Sequence, residues 1–254
     1  MSNTERKIAV VTGGSRGIGR NTVLSLARRD VDSILTYNSN RDEANKVVEA
    51  AKALGAKAVA VQLDVGQSSS FDAFADKVRA MLSDWDAERF DYLVNNAGTS
   101  SAMGFQNATE AELDSLFNVH FKGVFLLSQK LLPLINDGGR IVNVSSALAQ
   151  HPVPGRAVYG PIKAAVESLT KYMALELGPR RIAVNVVAPG AVATDFSGGM
   201  VRDNPEVNKF IASRTALGRA GLPEDIGPMI ASLLSEDNRW VNGQRIEVSG
   251  GMMH

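Results

Sequence analysis

The chain has 254 residues, 27 acidic and 27 basic, a formal net charge of zero and no cysteine. That length accommodates one large α/β domain or two small ones, and the charge balance offers no field to draw in nucleic acid or an anionic membrane. Disulfides and thiolate-bound metal are excluded, which suits a reducing compartment. Residues 1–7, Met-Ser-Asn-Thr-Glu-Arg-Lys, run straight into an apolar strand without a signal-peptide core. No apolar run nears the roughly 20 residues of a membrane span, so a cytoplasmic protein is expected.

Apolar β-rich runs then alternate with longer amphipathic stretches. Strands are expected at Ile8–Val11, Ile34–Tyr37, Ala58–Leu63, Tyr92–Val94, Arg140–Val144, Ile182–Val187 and Arg245–Val248. Helices are expected from the turn after Val11 to about Arg29, at Arg41–Leu54, Phe71–Leu82 and Glu112–Ile135, from about Tyr159 to Leu177, and at Glu224–Leu234. Such alternation is the pattern of an α/β, doubly wound parallel sheet with helices on both faces. No repeat or linker divides it, so residues 1–254 read as a single domain. The irregular stretch is 194–220, with three Gly, one Pro and mixed charge, and its length suggests a substrate lid.

Two motifs carry chemistry. Directly after the first strand, Thr12-Gly13-Gly14-Ser15-Arg16-Gly17-Ile18-Gly19 opens a helix. Glycines there let the backbone approach a pyrophosphate, which the helix N-terminus meets with N–H groups and a positive dipole. Further on, Tyr159 and Lys163 stand four residues apart, on one face of a helix. An ammonium beside a phenol favours the phenolate and lowers a pKa otherwise near ~10, giving a general acid/base usable at neutral pH. Pro161 falls between them; a helix starting near Ala157 places it in the first turn, where its missing N–H is tolerated.

Together with Asn95-Asn96-Ala97-Gly98, Ser146 thirteen residues before Tyr159, Pro189-Gly190-x-Val192-x-Thr194 and the closing Asn242-Gly243-Gln244 to Gly250-Gly251, these motifs resemble the classical short-chain dehydrogenase/reductase family over essentially the whole chain. The resemblance implies a Rossmann-type fold in three α/β/α layers and a nicotinamide cofactor. In it, Ser146 donates a hydrogen bond to a substrate carbonyl, Tyr159 transfers the proton, and Lys163 holds the nicotinamide ribose and depresses the Tyr159 pKa. Gly13, Ser15, Arg16, Gly17, Ile18 and Gly19 take the pyrophosphate side, and Asp64 and Val65 the adenine. Asn96, Ala97 and Gly98 lie along the cofactor, while Pro189, Gly190, Val192 and Thr194 contact the carboxamide. Ser145 and Asn95 read as structural. A homotetramer built through the long helices is also implied.

One position departs from the family. Where an Asn is usual, five residues before the Phe of Gly123-Val124-Phe125, this chain has His120. Its main-chain carbonyl can keep a proton relay to the lysine, and a titrating imidazole would reshape the pH profile; the alternative is a buried histidine bonded to backbone. His151 is a candidate pocket residue and His254 a chain end, and neither shows metal-ligand spacing.

Cofactor choice turns on the end of the second strand, Leu35-Thr36-Tyr37-Asn38-Ser39-Asn40-Arg41, which holds no carboxylate before Asp42. Asn38 and Ser39, with charge from Arg16 and Arg41, would suit a 2′-phosphate, so NADP(H) is favoured over NAD(H); the alternative is that both arginines are ordinary solvated charges. Ala147, Leu148, His151, Val153, Met103, Phe196, Met200 and Phe210 are candidates for a mostly apolar substrate pocket in which no cation marks an acidic substrate. The leading expectation is an NADPH-dependent carbonyl reductase acting on a ketone, aldehyde or 3-oxoacyl thioester. An alcohol or sugar dehydrogenase working oxidatively, and a catalytically silent dinucleotide-binding regulator, are the alternatives.

Overall fold

The computed structural model describes residues 6–252; His254 lies outside them. Elements follow in the order β1 (Ile8–Val11), α1 (Gly17–Ala27), β2 (Asp32–Tyr37), α2 (Arg41–Ala53), β3 (Ala58–Gln62), α3 (Phe71–Asp84) and β4 (Phe90–Asn95). Next come α4 (Glu110–Phe117), a π-helical turn (Asn118–Lys122), α5 (Gly123–Leu131), β5 (Ile135–Val144), α6 (Tyr159–Glu176) and β6 (Ala183–Pro189). The chain closes with α7 (Met200–Asp203), α8 (Pro205–Ser213), α9 (Pro223–Leu233) and β7 (Arg245–Val248). All seven strands are parallel in the order β3-β2-β1-β4-β5-β6-β7. The order reverses between β1 and β4, and ligands of such sheets bind outside the strand C-termini at that switch point.

Every side chain of β1 is buried because helices cover both faces. Ala9 and Val11 face one core with Val23 and Leu26 of α1 and Ile226 and Ile230 of α9. Ile8 and Val10 face the other, with Phe74 and Val78 of α3 and Leu127 and Leu131 of α5. Contact between α1 and α9 depends on Gly227, where a Cβ would fall 2.2 Å from Asn21 Oδ1.

Three expectations change. The helix expected at Glu112–Ile135 is interrupted by the π turn around His120, a local widening that accumulates at functional sites and that apolar periodicity does not register. The fifth strand begins at Ile135, slipping register between Phe90 and Tyr92. The 194–220 stretch is largely helical; Asn204 caps α8 by accepting from Glu206 and Val207 amides, and Pro205 occupies the first helical turn. Among the described residues no helix is long and apolar enough to cross a membrane.

Candidate active site

The ends of β4, β5 and β6 and the N-termini of α1 and α6 converge on one crevice. Thr12 ties the first of these together. Its hydroxyl accepts from the Asn96 and Ala97 amides at 2.9 and 3.0 Å, and Asn96 Nδ2 donates to the Thr12 and Gly13 carbonyls at 2.9 and 3.1 Å. Asn96 therefore uses its side chain to brace the glycine turn. Gly19 is obligatory there, since a Cβ would lie 2.2 Å from the Gly13 carbonyl oxygen. At the head of α1, Arg16 offers no side-chain cap and the first turn holds no acid, so the amides following Ser15, including those of Gly17 and Ile18, remain a positive terminus suited to a phosphate. Thr194 reaches across from beyond β6, within 3.4 Å of where a Gly17 Cβ would stand.

Gly14 donates to the Thr36 carbonyl at 2.8 Å, which seats the turn against the end of β2. Arg16, Asn38, Ser39 and Arg41 are all exposed along that edge, and Asp42 stands in the first turn of α2. Asp64 accepts from the Gly66 amide at 2.9 Å, and Val65 is buried. Gly190 packs on β7, where a Cβ would come within 2.9 Å of Ser249. Pro189 is buried and Val192 pairs with Gly221.

Consecutive residues at the end of β5 hold α6. The Lys163 ammonium donates to the Val144 carbonyl at 2.8 Å. The Ser145 hydroxyl lies 3.2 Å from the Lys163 carbonyl and 2.9 Å from Glu167, which makes it structural as its spacing implied. Ser146 hydrogen-bonds Tyr159, and its hydroxyl also accepts from the Leu148 amide at 3.2 Å. Tyr159 is the first residue of α6, Pro161 sits in that first turn, and Gly160 lets the turn approach the Leu148 carbonyl, which a Cβ would meet at 2.8 Å. Asn95 bridges Ser128 and Asn143 at 2.9 and 2.8 Å, a tie between strands.

Electrostatics reverse one expectation. Burial pushes the Tyr159 phenol up to about 12, and the Ser146 hydrogen bond and the Arg156 charge only partly offset it. Lys163 was expected to depress that phenol, yet burial takes Lys163 itself down to about 7. Its Nζ stands 5.7 Å from the Tyr159 ring centre.

His120 is 1% exposed, edge-on to Tyr159 with ring centres 5.2 Å apart, and flush against Gly98. Its Nε2 lies 2.7 Å from the Thr99 carbonyl and 3.3 Å from the Thr99 amide. A carbonyl only accepts, so the shorter contact assigns the proton to Nε2 and leaves Nδ1 an acceptor without a partner. Burial, then the Lys163 charge, hold the imidazole well below its usual range against the opposing Thr99 bond. The buried, backbone-bonded reading therefore replaces the titrating one. Changing His120 to Asn should leave the shape of the kcat–pH profile unaltered between about pH 6 and 8; a limb near 6.5 that vanishes in the variant would contradict this.

A cleft of about 710 Å3 opens between segments 104–107 and 148–161; Gly160 and Pro161 of the first turn of α6 line it, whereas Ser146, Tyr159 and Lys163 do not. Of the eight pocket candidates only Leu148 and Val153 line it. Phe196 instead approaches the Tyr159 ring at 6.1 Å, Ala147 is core, and His151 pairs with Glu247. Met103, Met200 and Phe210 are exposed and stand outside its walls. The residue missed by sequence reasoning is Arg156, which lines the cleft and donates to the Ser101 carbonyl. Its position three residues before Tyr159 was the available signal. The 194–220 stretch adjoins the site through Ser197, whose hydroxyl donates to Ser100 at 3.0 Å, and Ser197, Gly198 and Gly199 are left-handed in succession.

A family model described as "Enoyl-(Acyl carrier protein) reductase" matches residues 13–253. An uncharacterized oxidoreductase of Methylorubrum extorquens is 38% identical over 99% of this chain and 100% of its own length. The hydroxynaphthalene reductase-like protein Arp2 of Metarhizium brunneum is 35% identical over 96% and 94%. Among solved structures, a short-chain dehydrogenase/reductase from Serratia marcescens superposes with a TM-score of 0.90 at 34% identity, covering 98% of both chains. The angucycline C-6 ketoreductase LanV, with bound NADP, gives 0.92 at 33% over 97% and 95%.

Proposed function

The chain belongs to the short-chain dehydrogenase/reductase family and is an oxidoreductase of carbonyl and hydroxyl groups, and from that premise we propose that it is an NADPH-dependent carbonyl reductase. The observation that carries this reading is the buried Tyr159 phenol, raised to about 12, hydrogen-bonded to Ser146 and beside Lys163 at the strand ends. A phenol that stays protonated at neutral pH is ready to act as the acid when a carbonyl is reduced. Ser146 and Tyr159 donate to the substrate carbonyl oxygen, and Tyr159 passes it a proton as the carbon is reduced. Lys163 holds the nicotinamide ribose hydroxyls and steadies the resulting phenolate. Bound NADPH supplies the hydride.

The chain's own residues fit that cofactor. Gly13 to Gly19 offer the close-approach turn and uncapped amides to the pyrophosphate. Asp64 and Val65 flank the adenine, Ala97 and Gly98 run along the dinucleotide, and Pro189 to Thr194 meet the carboxamide. Arg16, Asn38, Ser39 and Arg41 present donors and charge to a 2′-phosphate, with no carboxylate before Asp42. Names of relatives such as the hydroxynaphthalene reductase-like protein support an aromatic ketone as substrate. Exposed Phe117 and Phe125 continue a ladder through Phe121, with ring centres 5.3 and 6.5 Å apart, and this supports assembly into a homotetramer through α4 and α5.

Initial rates with NADPH and NADH across a ketone panel test the reading. NADPH should be preferred by about tenfold or more, and a strong NADH preference would contradict it. Replacing Asn38 with Asp should raise KM for NADPH about tenfold. A carboxylate near a phosphate costs roughly 1–2 kcal/mol at the surface.

A further inference from the structure

The cleft that Gly160 and Pro161 share with segments 104–107 and 148–157 has an uneven chemistry. Leu148, Val153, Pro154 and Pro161 give it apolar walls, Gln106 and Asn107 are neutral, and no Asp, Glu, Lys or His contributes. Arg156 is the single charged residue in that lining. It is half-buried, and among the described residues it has no carboxylate partner; its hydrogen bond goes to the Ser101 carbonyl. A guanidinium carries five donors, of which that carbonyl takes one. The remaining donors face a ligand-sized cleft that holds no carboxylate, and a guanidinium with open donors there is suited to an anion arriving with the ligand. The Gly160 amide donates to the Arg156 carbonyl at 2.9 Å and both residues line the cleft, so this wall is continuous with the turn that carries Tyr159.

We infer that Arg156 selects carbonyl substrates bearing an acidic oxygen, an ionised phenol, enol or carboxylate, on the side of the molecule that enters this cleft. The inference rests on the reductase reading and deepens it. It departs from the expectation, drawn from a residue list that lacked Arg156, that no cation marks an acidic substrate. The simple alternative is that Arg156 only straps segment 101–107 to segment 148–157, which already approach closely: a Gly155 Cβ would lie 3.2 Å from the Ala102 carbonyl.

Three ketones of one skeleton separate these: 1-tetralone, a phenolic hydroxy-1-tetralone and a carboxy-1-tetralone, each assayed with NADPH against wild type, R156K and R156M. One or both acidic ketones should show a KM on the order of 10-fold below that of 1-tetralone, as a charge-assisted bond allows. R156M should abolish that advantage and R156K keep part of it, while KM for 1-tetralone stays within about twofold. The preferred analogue identifies the oxyanion. In wild type, its KM should also rise as pH falls through the analogue's own pKa, a readout that needs no variant. Equal KM values for all three ketones, or an equal loss on all three in R156M, would overturn the inference and leave the strap. Turnover of none of them would instead overturn the reductase reading beneath it. NADPH binding, followed by nicotinamide fluorescence, confirms that each variant is folded.

Discussion

Tyr159→Phe is expected to lower kcat/KM for ketone reduction by about 10³-fold or more while NADPH affinity stays within about threefold. General acid catalysis is worth roughly 10²–10⁴, and the hydroxyl is the only group removed. The ring keeps its edge contact with His120 at 5.2 Å and its tilted contact with Phe196 at 6.1 Å, so the site should not collapse. Ser146 loses one partner but retains the Leu148 amide. Steady-state rates alongside fluorescence titration of NADPH separate chemistry from binding. Retention of most of the activity would show that the proton comes from elsewhere.

Lys163→Met should remove activity as well, and stabilise the protein in acid. Folding lowers the Lys163 pKa from 10.5 to about 7, so below pH 7 the folded state holds an ammonium it disfavours. The unfolded chain binds the extra proton between those two values, so the contribution of Lys163 to wild-type stability rises from about pH 7 toward 10.5. At about 1.4 kcal/mol per pH unit the penalty is on the order of 5 kcal/mol. Loss of the bond to the Val144 carbonyl returns about 1–3 kcal/mol of it. A net gain of about 2 kcal/mol is expected near pH 6, worth several degrees in Tm. The advantage should shrink as pH approaches 10. Thermal unfolding at both pH values checks this, and a variant less stable than wild type at pH 6 would show the ammonium to be well accommodated. The loss of function for a gain of stability is what a charge buried for chemistry entails.

Much of this architecture is legible in the residues. Parallel strands covered on both faces read as near-continuous apolar runs, as Ile8–Val11 does. The spacing of Ser146, Tyr159 and Lys163 places them on a strand end and one helix face, where they meet. What periodicity does not convey is a change in helix type, and so the π turn at Asn118–Lys122 is invisible in a sequence that stays amphipathic across it. The Asn204-Pro205 start signal of α8 was present but outweighed by the glycines around it. Neither the neutrality of His120 nor the upward shift of Tyr159 is a property of spacing. Both follow from how much water the surrounding elements exclude, which only packing determines. Arg156 escaped because it precedes the helix, in a loop whose course the sequence does not fix.

The central claim is that this chain moves a hydride onto a carbonyl carbon while Tyr159 supplies the proton. Its most direct test is mass spectrometry of the alcohol formed when wild-type protein meets a ketone and NADPH deuterated at the transferable position. One deuterium on the carbinol carbon, over many turnovers, is the predicted result. A protein that binds the dinucleotide yet yields no labelled alcohol from any ketone would contradict the account and leave a dinucleotide-binding regulator in its place.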